Sequence, residues 1–64
     1  MEYYKEKDGD LLIRMTDEGE MQRYDLKTDR WVEDQTMAQI FYGGILAKLI
    51  TEEEAMAIIT KKKV

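Results

Sequence analysis

The chain has 64 residues, a formal net charge of −4, and neither cysteine nor histidine. This length predicts a single small domain over residues 1–64, with a core near the lower limit for independent folding. The two missing residue types exclude disulfides, thiolate nucleophiles, Cys/His zinc sites and histidine-dependent catalytic triads.

The first half of the chain, residues 1–34, has an alternating pattern that is typical of strands. Three candidate two-residue hairpin turns punctuate it, at Asp8-Gly9, Glu18-Gly19 and Thr28-Asp29. The runs with strand composition lie before, between and after these turns, at residues 2–7, 10–16, 20–26 and 30–33. We therefore predict a three- or four-stranded antiparallel meander, in which residues 30–33 would form the fourth strand.

Tight turns at these three places also predict a register. Tyr4 should face Ile13, which should in turn face Tyr24 on the next strand. The large apolar side chains that this register collects on one face are Tyr4, Leu11, Ile13, Met15, Tyr24, Leu26 and Trp31. On the other face Arg14 should lie directly opposite Arg23, which is mildly destabilising because the two charges are alike.

The second half, residues 35–64, has helical spacing. Asp34 or Thr36 can cap a first short helix, which Gly43-Gly44 should end because glycine readily takes the left-handed conformation. We predict a short helical turn or connector from Ile45 to Ile50.

The clearest local signal begins at Thr51. Thr51 and Glu54 form a capping box, and the segment to Lys62 has glutamates at its start and lysines at its end, as the helix dipole favours. We expect this helix and the first one to pack together on the apolar face of the sheet. The predicted fold class is therefore α+β, a meander followed by two short helices packed on one face.

Other charged groups have structural explanations. The consecutive glutamates at 52–54 point about 100° apart on a helix and cannot converge on one ion. Asp8 and Asp10 lack the spacing of a calcium-binding loop. The lysines at 61–63 suit the end of a helix and are only a weak signal for a tail that contacts nucleic acid or membrane. We predict no catalytic residues, metal site or cofactor.

The face opposite the apolar one is the predicted binding surface. It combines aromatic, arginine and methionine side chains, which are enriched in protein interfaces. Its predicted partner-binding residues are Tyr3, Leu12, Arg14, Met21, Arg23 and Val32. We therefore predict a small non-catalytic protein-interaction module that acts through this open sheet face or by homodimerisation, with another protein or a second copy as partner.

Two alternative functions are open, and only the first uses the same face. Single-stranded nucleic acid could bind this face, with Tyr3 stacking on a base and Arg14, Arg23 and Lys5 contacting phosphates. The net charge of −4 argues against that alternative, because long-range steering would be repulsive. A carboxylate-only enzyme would need a deep cleft between two acidic groups, so we predict that the protein is not an enzyme.

The ends of the chain and its apolar runs bear on location. The N-terminal residues lack a basic-then-apolar signal pattern. The longest apolar run, near residues 40–50, is too short to span a membrane as a helix. The sequence therefore predicts a cytoplasmic protein with no membrane association.

Overall fold

A computed structural model describes residues 1–62, which form a five-stranded antiparallel sheet, a 3₁₀ helix and an α-helix. The elements in chain order are β1 (Glu2–Glu6), β2 (Leu12–Met15), β3 (Met21–Asp25), β4 (Arg30–Glu33), the 3₁₀ helix (Gln35–Phe41), β5 (Ala47–Ile50) and α1 (Glu52–Lys62). The strands lie in the order β4-β3-β2-β1-β5. The α+β class and the fourth strand are confirmed, while Lys63 of the predicted basic run lies outside the described residues.

The hairpin of β1 and β2 has the predicted register, with Tyr4 opposite Ile13. The ladder closes where the Glu6 amide donates to the Leu11 carbonyl at 2.9 Å. The connection therefore has four residues, 7–10, rather than the predicted two. Because both lengths are even, every side chain on the hairpin keeps its predicted face.

The turn between β2 and β3 has an odd length. The Thr16 amide donates to the Glu20 carbonyl at 2.8 Å, and the Gly19 amide donates back to the Thr16 carbonyl at 2.9 Å. The three connecting residues, 17–19, end at Gly19 with φ +85°, the left-handed conformation usual at the end of a three-residue hairpin loop. The predicted two-residue turn at Glu18-Gly19 is therefore wrong.

The register that follows from that turn is also wrong by one residue. Ile13 faces Arg23 and not Tyr24, while Arg14 faces Gln22. A shift of one residue moves every side chain of a strand to the opposite face. The shift separates the two arginines, so the predicted repulsion between them does not arise.

β4 pairs with β3 and therefore shares the one-residue change in register of β3 relative to β2. Tyr24 faces Trp31, and the connection spans the four residues 26–29, including Asp29 at φ 57°. Leu26, predicted to lie on the apolar face of the sheet, lies in this connection and is 53% exposed. Tyr24 and Trp31 share a face, as predicted, but it is not the face of Ile13.

The sheet is covered on both faces. The face that carries Tyr3 packs against α1, and its cluster contains Tyr3, Leu12, Tyr24, Trp31, Ile50, Ala55, Ile58 and Ile59. The opposite face packs against the 3₁₀ helix, and its cluster contains Tyr4, Leu11, Ile13, Met15, Met21, Met37, Ala38, Ile40 and Ile45. The prediction that both helices pack on one face is wrong, because the shift of β3 makes both faces apolar. We call these the α1 face and the 3₁₀ face.

The segment predicted as a connector from Ile45 to Ile50 contains a strand. β5 pairs with the free side of β1, placing Leu49 opposite Tyr4 and Ile50 opposite Tyr3. Pairing satisfies the amide groups of β1 that point away from β2, and their burial without a partner would be costly. The free energy gained from this long-range pairing outweighs the weak local preference of the segment for a helical turn or connector.

The predicted helix caps are confirmed. The Thr51 hydroxyl accepts from the Glu54 amide and the Glu54 carboxylate accepts from the Thr51 amide, both at 3.0 Å. Asp34 caps the 3₁₀ helix by accepting from the Thr36 amide at 3.0 Å. Gly43, at φ +85°, follows the end of that helix as expected.

Candidate functional site

The six residues of the predicted partner-binding surface do not share one face. Tyr3 and Leu12 are buried beneath α1, whereas Met21 is buried beneath the 3₁₀ helix on the opposite side. These three residues belong to the core. The remaining three, Arg14, Arg23 and Val32, are partly buried and divide between the two faces.

Arg14 lies on the α1 face beside an aromatic cluster. Its Nε donates to Oε1 of Gln22 at 2.6 Å, and its guanidinium carbon lies 4.5 Å from the ring centroid of Trp31. Trp31 also makes edge contacts with Tyr24 at 5.3 Å and with Tyr3 at 5.9 Å. The cation is attracted to the ring face, so the guanidinium helps to hold this part of the core together.

Arg23 and Val32 face each other on the 3₁₀ face. The Arg23 Nε donates to Oδ2 of Asp34 at 3.0 Å, which joins β3 to the cap of the 3₁₀ helix. Hydrogen bonds from Thr36, and to a smaller extent the charge of Arg23, lower the pKa of the Asp34 carboxyl. Both predicted arginines thus have internal partners, and they lie on opposite sides of the sheet.

The residues chosen for the nucleic-acid alternative do not form one surface either. Tyr3 is buried and cannot present its ring to a base. The Lys5 Nζ donates to the carbonyls of Glu6 at 3.0 Å and Gly9 at 2.8 Å. The stacking ring and the cations of that hypothesis are therefore separated or already bonded.

The open edge of β5 is the main unpartnered feature of the described chain. The Lys7 amide donates to the Leu46 carbonyl at 2.7 Å, so these two residues form a hydrogen-bonded pair. Amide direction alternates along a strand, and Lys48 therefore directs its N–H and C=O toward β1. Ala47 and Leu49 direct theirs away from β1, toward the open side of the sheet.

Exposed apolar side chains are concentrated beside this edge. Four of the seven large hydrophobic residues that are exposed in residues 1–62 lie between Phe41 and Leu49, including Tyr42 at 85% and Leu49 at 63% exposure. Phe41 packs edge-on against Tyr4 at 5.8 Å, and Tyr4 faces Leu49 across the ladder. We define the β5 edge surface as Phe41, Tyr42, Leu46, Ala47, Lys48 and Leu49.

The opposite edge of the sheet differs in its charges. β4 begins with Arg30 and ends with Glu33, both exposed. Charged side chains on an edge strand oppose pairing with another chain. β5 has one charged residue, Lys48, and is the less protected of the two edges.

Basic side chains collect on the α1 face at β5. Lys48 lies directly opposite Lys5, and the pairing continues toward Lys7. Lys48 takes part in none of the ion pairs found among residues 1–62. Hydrogen bonds with Thr51 chiefly lower the pKa of the Glu54 carboxyl, and the charge of Lys48 adds a smaller attraction. Two lysines thus lie side by side at this edge, and the Glu54 carboxylate offsets part of their charge.

A small apolar cavity of 260 Å³ lies between α1 and the loop end of the sheet. Its lining residues are Asp10, Leu11, Leu12, Tyr24, Leu26, Ile59 and Lys62. Lys62 Nζ donates to the Asp10 carbonyl at 3.0 Å and lies 3.6 Å from Oδ2 of its carboxylate. The cavity is smaller than a typical ligand site, and its two charged lining residues are paired with each other.

A carboxylate pair also forms, at Glu20 and Glu33. A hydrogen bond shared with Glu33, and the charge of that residue, raise the pKa of the Glu20 carboxyl. Both side chains are exposed rather than enclosed in a cleft. Within residues 1–62, no group of three or more acidic side chains is arranged to hold a metal ion.

The sequence pattern did not reveal the β5 edge surface, because residues 45–50 were predicted to form a short helical turn or connector. One signal was present in the pattern. A run of six residues bounded by Gly43-Gly44 and the Thr51 cap has the length of a strand and is too short for most helices.

Comparison of the chain with protein-family models, curated proteins and solved structures finds no match. In the part of the chain that the structure describes, neither helix has the length and apolar character needed to cross a membrane.

Proposed function

We propose that this protein is a small non-catalytic protein-interaction module whose binding site is the β5 edge surface. A partner segment in extended conformation would add to the sheet as a sixth strand beside β5. The observation that carries the proposal is the outward direction of the Ala47 and Leu49 amide groups at an edge surrounded by exposed apolar side chains. The open sheet face no longer enters the proposal, because α1 and the 3₁₀ helix cover both faces.

Strand addition would supply binding energy and would fix which face of the sheet each partner side chain meets. The main-chain groups of Ala47 and Leu49 would each exchange two hydrogen bonds with the partner, and side chains of alternate partner residues would meet the two faces separately. On the 3₁₀ face the partner would cover Leu49 and contact the neighbouring Phe41 ring. Covering these side chains removes apolar area from water, which favours association.

The proposal is tested by selecting extended peptides from a random displayed library on the immobilised protein. The key variant is Leu49→Pro, which removes an amide that points away from β1 and leaves the β1 pairing intact. Leu49→Thr is the matched control, because it keeps the amide and loses only part of the apolar surface. Thermal unfolding and far-ultraviolet circular dichroism establish that both variants fold.

We expect peptides that bind the wild-type protein and Leu49→Thr but not Leu49→Pro. Failure to enrich any peptide above an unrelated immobilised protein would overturn the proposal. Equal binding of the selected peptides to Leu49→Pro would overturn it as well, because the contact would then lie elsewhere.

A further inference from the structure

Resting on the proposed strand addition at β5, we propose that the partner is an antiparallel segment with the pattern apolar-acidic-apolar, whose carboxylate lies opposite Lys48. The proposal rests on the alternation of side chains along β5, which places Lys48 on the α1 face and its two neighbours, Ala47 and Leu49, on the 3₁₀ face. Lys48 selects the charge of the partner residue that faces it, and Ala47 and Leu49 select apolar character in the two residues on either side.

Lys48 selects the acidic residue. Its amide points to β1, so the partner residue opposite it would form a non-hydrogen-bonded pair, in which side chains approach most closely. Lys48 has no ion-pair partner among the described residues, and Lys5 beside it adds positive charge on the same face. Opposite charges that face each other across strands stabilise the pairing.

The net charge of the chain does not prevent this attraction. The Glu54 carboxylate is held at the start of α1 by the Thr51 amide at 3.0 Å, and its charge offsets part of the charge of Lys48. The more distant acidic groups are screened within about 8 Å at physiological ionic strength. Lys48 and Lys5, which face each other on the α1 face, are the cations that would attract a partner carboxylate there.

Ala47 and Leu49 select the flanking residues. The two partner residues opposite them would exchange main-chain hydrogen bonds with β5 and direct their side chains onto the 3₁₀ face. There they would meet the exposed Leu49 side chain and the Phe41 ring. Apolar residues fit these two positions.

A second copy of the chain fits the same edge less well. In a two-fold antiparallel pair the facing residues share a face, so β5 can be centred on Ala47, Lys48 or Leu49. Centring on Ala47 brings Leu49 to Ile45, whose amide is already bonded to the Gln39 carbonyl. Centring on Lys48 uses all the outward amide groups but places two lysines opposite each other, which is destabilising. Centring on Leu49 brings Ala47 to Thr51, whose amide and carbonyl are already bonded to Glu54 and Ala55.

The test uses a fluorescein-labelled, capped peptide of sequence Thr-Ser-Val-Glu-Val-Ser-Thr and an analogue with lysine in place of its glutamate. Fluorescence anisotropy measures both affinities for the wild-type protein, for Lys48→Glu and for Lys27→Glu. Lys27→Glu is the matched control, since it makes the same change of charge in the exposed loop between β3 and β4. We expect the wild-type protein and Lys27→Glu to prefer the glutamate peptide by about threefold to tenfold, and Lys48→Glu to prefer the lysine peptide.

Methylated peptides separate this inference from the proposed function. Methyl groups on the two valine nitrogens should abolish binding, because those amides face β5. A methyl group on the glutamate nitrogen should leave binding intact, because that amide faces away. If both methylated peptides bind alike, strand addition at β5 is wrong and this inference fails with it.

Two outcomes overturn the inference alone. Equal affinity for the glutamate and lysine peptides, combined with loss of binding on valine methylation, would mean that β5 accepts strands without regard to the charge opposite Lys48. A dimer seen by sedimentation velocity and dissociated by Leu49→Pro would mean that a second copy occupies the edge instead.

Discussion

The Tyr3 hydroxyl donates to the Glu52 carboxylate at 2.9 Å and thereby joins β1 to the first turn of α1. The ring of Tyr3 is buried in the cluster beneath α1. Burial, and then the hydrogen bond to Glu52, raise the pKa of its hydroxyl. A residue that the sequence pattern assigned to a binding surface is thus an anchor between the sheet and the helix.

Replacing Tyr3 with Phe should lower the free energy of unfolding by about 1 kcal/mol, since the ring is kept and one hydrogen bond to a charged group is lost. Urea denaturation measures the change. Tyr4→Phe is the matched control, because the Tyr4 hydroxyl donates to Glu2 at 3.0 Å in an exposed position and its loss should cost less. Equal costs for the two variants would contradict the anchoring role of Tyr3.

The cost of substituting Gly19 should depend on how well the new residue tolerates a left-handed backbone, and not on room for its side chain. A Cβ placed there would meet nothing within 4 Å, yet φ is +85°. Gly19→Ala should therefore lower the free energy of unfolding by about 1–2 kcal/mol, while Gly19→Asn should lower it less because asparagine tolerates this conformation. Thermal or urea unfolding of the two variants tests this, and a smaller loss for alanine would show that the three-residue turn is not the native one.

The contact between Arg14 and Trp31 can be tested separately from the packing of the arginine stem. Arg14→Met keeps an apolar stem and loses the cation, so it should destabilise the fold by about 0.5–1 kcal/mol. Trp31 is the single tryptophan, and its fluorescence emission should change with the loss of the guanidinium 4.5 Å away. Arg30→Met, at an exposed position on β4, should leave that emission unchanged. A change of the same size in both variants would count against the contact.

The Glu20 and Glu33 pair predicts a pH dependence. The hydrogen bond and charge of Glu33 raise the pKa of Glu20 above its usual 4.5, so the folded state binds this proton more tightly than the unfolded state does. The resulting stabilisation is present below 4.5 and is lost as the pH rises through the folded-state pKa. Glu20→Gln should therefore be more stable than the wild-type protein at neutral pH.

The measurement is the difference in urea midpoint between Glu20→Gln and the wild-type protein across the acidic range. That difference should shrink as the pH falls through the folded-state pKa toward 4.5, since protonated glutamate and glutamine then resemble each other. Glu18→Gln, a nearby exposed carboxylate, should show a smaller dependence. A difference that stays constant with pH would mean that the two carboxylates do not share a proton in the folded protein.

Wrongly predicted turn lengths account for most of the differences between the predicted fold and the observed one. Two of the three connections were assigned the wrong length but an even one, so the faces of their strands stayed as predicted relative to each other. The connection that ends at Gly19 is odd, and it alone moved Arg23 and Met21 to the face of Ile13. This one-residue difference in turn length divided the predicted binding surface between two faces, because Tyr3 and Arg14 then shared a face with Tyr24 and Trp31.

Local patterns by themselves determined the first four strands, the capping box of Thr51 and Glu54, and the cap at Asp34, because each depends on residues that are near neighbours in the chain. Only the tertiary structure decided which face each strand buries, that a helix covers each side, and that β5 completes the sheet. Those features depend on hydrogen bonds between distant segments: the outward amides of β1 recruit residues 47–50, and the pairing leaves Ala47 and Leu49 facing the open edge.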